Sequence, residues 1–217
     1  MDTAPLWAEI DLKAIAHNVR ELRRITRPQA CLMAVVKANG YGHGAVEVSR
    51  CALQNGASLL GVARIEEGIQ IREAGITAPI LVFGYTHPQR AGDLLHYDLT
   101  QSVFTAATAR ELSEIAGSLA AKIKIHLKVD TGMGRLGLLP QNFQFVNPAK
   151  INTDTITETL AVAKLNGLEL EGIFTHFASA DSADKTYAEY QLELVDIARD
   201  RAEYADRQGM REGHLAR

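Results

Sequence analysis

Six short apolar runs, each bounded by turn residues and separated by amphipathic stretches, set the narrowest limit on what this chain can fold into. They are CLMAVV (31–36), SLLGVA (58–63), PILVFG (79–84), DLTQSVF (98–104), KIKIHLKV (122–129) and EGIFTHF (171–177). The runs are mostly continuous rather than alternating, as expected for parallel strands covered on both faces. Helical patterns lie between them. Asp11 is placed to cap a helix whose apolar positions are Leu12, Ile15, Val19 and Leu22. Pro88 sits where a first helical residue tolerates it. Thr108 and Glu111 have capping-box spacing ahead of Leu112 and Ile115. Asp184 is placed to cap a last helix with Tyr187, Tyr190, Leu194 and Ile197 on one stripe, ended by Gly209.

Six strand–helix units in succession indicate an α/β protein. A (β/α)8 barrel and an open doubly wound sheet both satisfy that pattern. A barrel typically takes about 250 residues and eight units. This chain has 217 residues and stops at GHLAR, where a seventh strand would begin. An earlier segment, WAEIDL (7–12), reads as a strand belonging elsewhere in the fold. The connection from Leu138 to Glu171 is longer than one strand–helix link needs, and its polar stretch 141–154 reads as a surface insertion.

Composition closes off several classes. The net charge is −3, so there is no basic excess for nucleic acid. Arg20, Arg23, Arg24 and Arg27 read as the solvated face of the first helix. The two cysteines, Cys31 and Cys51, form no CxxC. No apolar run approaches the ~20 residues that span a bilayer, so no membrane partner is expected. The opening MDTAPLW has no secretory pattern, and a cytoplasmic protein is the expectation. The histidines show no ligand spacing, and no metal is expected.

Three motifs follow strands. AVVKANGYGHG (34–44) places Lys37 at the end of the first strand, where loss of water would lower its pKa. Only the free amine attacks an aldehyde, so this is the setting of a Schiff-base lysine. Gly40, Gly42 and Gly44 suit a tight turn near a ligand, and Tyr41 offers a hydroxyl to a phosphate. KVDTGMGRLG (128–137) puts Lys128 and Arg135 after the fifth strand; a guanidinium there can orient a phenolate or carboxylate. Its Gly132, Gly134 and Gly137 also match G-x-G-x-x-G, a dinucleotide turn. The motif follows the fifth strand, carries Arg135 and soon meets Pro140, all of which disfavour that reading. GIFTHFASAD (172–181) puts His176 at the sixth strand's end, where an imidazole can stack on a flat ring.

WAEIDLKAIAHNV, VVKANGYGHG, HLKVDTGMGRLG and GIFTHFASAD, in this order, resemble the alanine racemase family and its close amino-acid racemase relatives. The resemblance runs from about Trp7 to His214. It implies a (β/α)8 TIM-type barrel, here incomplete, as one cofactor-binding domain over 7–217, and a C-terminal β domain that this sequence does not contain. It implies pyridoxal 5′-phosphate (PLP) as cofactor and a small amino acid, alanine first, as substrate. It also implies a homodimer with a shared active site. The position of Lys37 is the Schiff-base lysine and one of two bases at the substrate Cα. Tyr41 matches a phosphate contact. Arg135 matches the residue against the ring's phenolic oxygen, and His176 one that packs on the ring. Lys128 matches a lysine that some members carbamylate. The second base is a tyrosine of the C-terminal domain of the partner subunit. The chain alone is therefore expected to be an inactive piece of an isomerase that supplies D-alanine for the cell wall. A PLP-holding module without racemase activity and a nicotinamide-dependent oxidoreductase are the competing readings, and serine or other racemases share the same motifs.

Overall fold

A computed structural model of the chain describes residues 6–138 and 161–196. It divides into two compact units, Met1–Thr86 with His96–Thr100, and His87–Leu95 with Gln101–Arg217. In the first unit, β1 (Met33–Val35), β2 (Leu59–Val62) and β3 (Ile80–Val82) are parallel. Met33 pairs with Leu59, and Leu60 with Ile80. Leu60, Val62, Ile80, Leu81 and Val82 are all buried, which explains why these runs are continuous: both faces are covered.

Helix α1 (Leu12–Ile25) starts as its cap residue dictates. Asp11 Oδ1 accepts from the amides of Lys13 and Ala14 at 2.8 and 3.3 Å, while Arg23 and Arg24 complement the helix dipole at the other end. The expected strand over 7–12 is not formed. Leu12 opens the helix, residues 7–11 belong to no strand, and Trp7 is exposed. After β1 comes α2 (Lys37–Tyr41), one turn of left-handed backbone, then α3 (Ala45–Gln54) and α4 (Ile65–Glu73). The unit closes on Arg72, which donates to the carbonyls of Ile76, Ala78, Tyr97 and Asp98 at 2.7–2.9 Å. Asp98 has φ 48°, a turn conformation, so the strand expected from 98 begins at Thr100.

In the second unit a short 3-10 helix, Pro88–Arg90, carries its proline in the first turn as expected. It leads into α5 (Ala91–His96), β4 (Thr100–Val103) and α6 (Ala106–Ser118). The cap of α6 is Thr105, whose Oγ1 accepts from the Thr108 amide at 3.2 Å, not Thr108 itself. Thr105 has the extended backbone a cap needs (φ −144°, ψ 143°), so the helix starts three residues earlier than the Thr108–Glu111 spacing suggests. Strands β5 (Ile123–Lys128) and β6 (Leu168–Phe174) run parallel to β4. β6 starts and ends earlier than the expected 171–177 because it pairs along all of β5, from Ile123↔Leu168 to Lys128↔Phe174. Val103, Leu112, Ala116, Ile123, Ile125 and Leu127 form its core.

A helix covers 186–196, with Asp184 Oδ1 accepting from the Thr186 amide at 2.9 Å. Its buried face carries Gln191 and Leu194, whereas Tyr190 is exposed, so the expected tyrosine stripe is only partly buried. The expected insertion 141–154 and helix stop Gly209 lie outside the described residues. Among those residues no helix is long and apolar enough to cross a membrane, and no group of three or more His, Cys, Asp or Glu could hold a metal.

Candidate active site

Each unit presents basic side chains at the C-terminal ends of its strands. In the first, Lys37 lies just past β1, after Val36, and is half-buried, and its Nζ lies 5.7 Å from the centre of the exposed Tyr41 ring. The turn holding them is strained. Ala38, Asn39 and Tyr41 all have φ between 52° and 55°. The left-handed region costs an ordinary L-residue roughly 1–2 kcal/mol, so such a run persists only where its surroundings over-determine it. Several bonds do so here. Gly40 N–H donates to Val36 O at 2.8 Å and Gly44 N–H to Asn39 O at 2.9 Å. Asn39 Oδ1 accepts from the Ala45 amide at 2.9 Å, at the start of α3. Glu67 of α4 accepts from the Ala38 amide at 2.7 Å.

In the second unit the loop after β5 leaves the strand and returns to it. Leu138 N–H donates to Lys128 O at 2.8 Å and Asp130 N–H to Leu138 O at 3.0 Å. The loop is gathered around the buried Asp130. Its Oδ1 accepts from Gly132 and Gly134, and its Oδ2 from Arg135, each at 3.0 Å. Burial alone would raise the pKa of this carboxyl. The amides of Gly134, Gly132, Arg135 and Met133 outweigh burial and hold it below the ordinary value. Gly137, at φ 146°, lies so close to Asp130 that an added methyl would strike its backbone nitrogen. At Gly132 a methyl would strike the hydroxyl of Tyr187, which donates to Gly132 O at 2.9 Å.

This geometry counts against the dinucleotide reading of Gly132, Gly134 and Gly137. A pyrophosphate turn opens directly into a helix N-terminus, whereas this loop folds back onto the strand it left.

Arg135 Nη2 lies 2.9 Å from His176 Nδ1. A guanidinium only donates, so Nδ1 accepts and the ring carries its proton on Nε2. Lys128 is buried with its Nζ 5.7 Å from the Phe174 ring centre. Burial lowers its pKa, the nearby Arg135 lowers it further, and Asp130 opposes both. Thr131 and Thr175 tie the loops after β5 and β6 together, Oγ1 to Oγ1 at 2.8 Å. The buried Gln191 adds bonds to Thr131 Oγ1, His176 O and the Ala178 amide at 3.2, 3.3 and 2.9 Å. Lys37 and Tyr41 are thus brought together in one unit, and Lys128, Arg135 and His176 in the other. Sequence reasoning missed Glu67, Gln191 and the loop-forming role of Asp130. Only Asp130 had a signal: an acidic residue just ahead of Gly-x-Gly, where its oxygens meet successive amides.

The profile of the family described as "Alanine racemase, N-terminal domain" matches residues 10–216. The chain belongs to this family. The family domain is an α/β fold of the (β/α)8 barrel type, and the six strands described here correspond to six of its eight strand–helix units. The alanine racemase of Desulfosudis oleivorans is 50% identical over 192 residues, covering 88% of this chain and 48% of that protein. That of Desulforamulus reducens is 46% identical over 199 residues, covering 92% and 51%. Among solved structures, alanine racemase of Clostridium difficile 630 superposes with a TM-score of 0.86 at 36% identity, covering 94% of this chain and 54% of that one. The Bacillus anthracis alanine racemase with bound L-Ala-P gives 0.80 at 32% identity, covering 93% and 50%. The chain therefore spans about half the length of the relatives it matches.

Proposed function

We propose that this chain supplies the PLP-binding part of a racemase that interconverts L- and D-alanine, and that the protein works as a homodimer. The observation that carries the reading is Lys37: a half-buried amine at the end of β1, fixed ahead of a strained turn, in a chain of the alanine racemase family. The donor set suits the cofactor. Lys37 is the amine to hold the PLP aldehyde, and the Tyr41 hydroxyl the donor to its phosphate. Arg135 is the donor to its phenolic oxygen, and His176 the residue against its ring. Bound there, PLP supplies the electron sink that makes the substrate Cα–H acidic.

The residues of the chain then have defined tasks. Lys37 takes a proton from Cα, or returns one, on one face; a second base serves the other face. Arg135 must be held in one orientation to act on a single oxygen, and its bond to His176 Nδ1 contributes to this. Lys128, with its lowered pKa, is the amine to take up carbon dioxide as a carbamate, releasing a proton and gaining a negative group beside Arg135.

Borohydride reduction of the PLP-loaded protein, followed by proteolysis and mass spectrometry, tests the reading. A pyridoxyl group on the Lys37 peptide is the expected result, lost in Lys37→Ala. Label on another lysine, or none in a folded sample, overturns it.

A further inference from the structure

We infer that Glu67 is a positioning residue for Lys37, a role that rests on the reading of Lys37 given above. Glu67 lies in the first turn of α4, yet its carboxylate spans two strand ends. Oε1 accepts from the Ala38 amide at 2.7 Å. Oε2 accepts from the amides of Ala63 and Arg64 at 2.7 and 3.0 Å, just past β2. The Ala38 amide belongs to the peptide that immediately follows Lys37. On the other side of Lys37, Val36 N–H donates to Gly61 O at 2.8 Å. The backbone of Lys37 is therefore fixed from both sides to the second strand: by the sheet before it and by Glu67 after it.

The need for this fixing comes from the turn. Ala38 has φ 52° and ψ 48°, and it is the first of the left-handed residues. An alanine gains nothing from that conformation, so without an acceptor for its N–H it would relax toward ordinary backbone and carry Lys37 with it. Both oxygens of Glu67 are engaged with backbone amides, so the carboxylate acts on the path of the chain. Displacing a reacting group by even about 1 Å slows its chemistry by orders of magnitude.

The test uses the full chain loaded with PLP. Borohydride-dependent label on Lys37 after a short exposure and the visible absorbance of the cofactor–lysine adduct are read together with thermal unfolding. Glu67→Ala is expected to fold and to lose about tenfold of the label formed in that time. Glu67→Gln, which retains one acceptor oxygen, is expected to fall between it and the parent. Asp11→Ala, which weakens the cap of α1 in the same unit, is the control: its unfolding temperature drops while its labelling stays at the parental level. The inference is overturned if folded Glu67→Ala labels as fast as the parent, or if Asp11→Ala loses label equally. It is also overturned if neither Glu67 variant folds, because the carboxylate then serves the whole unit and not Lys37. Absence of label from the parent protein overturns the functional reading and this inference with it. Normal parental label with unchanged variants overturns the inference alone.

Discussion

Replacing Asp130 with asparagine separates a loop built on a carboxylate from one that merely contains it. The carboxylate accepts three amides at 3.0 Å, two on Oδ1 and one on Oδ2. Asparagine offers one oxygen. Placed at Oδ1 it keeps Gly132 and Gly134 and turns its NH2 against the Arg135 amide; placed at Oδ2 it loses two bonds. A hydrogen bond to a charged group contributes about 1.5–3 kcal/mol net, so even the better placement costs about 2–3 kcal/mol in a buried site. At roughly 2–4 °C per kcal/mol for a chain of this size, Tm falls by about 4–12 °C. The pH dependence gives a second handle. The folded-state pKa of Asp130 lies below its unfolded value. Its stabilisation is therefore complete above about pH 4 and is lost as pH falls through the folded pKa. Thermal unfolding followed by circular dichroism should show the gap between parent and Asp130→Asn at pH 7 and a narrowing gap in acid. A variant that unfolds with the parent at pH 7, or a gap that stays constant into acid, refutes the reasoning.

Two further substitutions examine the same architecture. Gly137→Ala combines φ 146° with a methyl driven into the Asp130 backbone, and urea titration should register a loss greater than about 2 kcal/mol. Thr105→Ala should cost about 1 kcal/mol as the loss of a helix cap, whereas Thr108→Ala should stay within about 0.5 kcal/mol; equal losses in thermal unfolding would return the cap to Thr108.

The strand sequence was legible because parallel strands covered on both faces must be apolar throughout, as Leu60, Val62, Ile80 and Val82 are. The loops were legible for a related reason: glycines clustered straight after an apolar run mark chain that turns tightly, and Lys37 and Arg135 stand inside such clusters. What stayed hidden depended on contacts distant in sequence. Nothing local tells that Glu67 reaches an amide 29 residues away, or that Gln191 sits buried against Thr131, 60 residues earlier. A glutamate in a first helical turn and a glutamine in a helix have ordinary local roles, and only the folded chain assigns them others. The misplaced cap of α6 is a different case. T-A-A-T offers two hydroxyls three residues apart, and the choice falls to whichever residue the incoming strand leaves extended. The segment 7–12 shows the converse: residues that read as a strand form none here, because pairing is what creates a strand.

Glu67 and Asp130 solve one problem in two loops. Each loop must display a basic side chain at a strand end while its backbone follows a path that ordinary residues resist. A carboxylate is the strongest side-chain acceptor for clustered amides, yet beside a lysine or arginine it could neutralise the cation instead. Here the oxygens are aimed at main-chain N–H groups: Glu67 at Ala38, Ala63 and Arg64, Asp130 at Gly132, Gly134 and Arg135. The guanidinium of Arg135 is directed to a neutral imidazole nitrogen. In these two loops the carboxylates are thus spent on shaping the backbone. Pairing exposed charges with each other would contribute only about 0–1 kcal/mol, less than the roughly 1.5–3 kcal/mol of a hydrogen bond to a charged group, so aiming the carboxylates at amides serves folding as well.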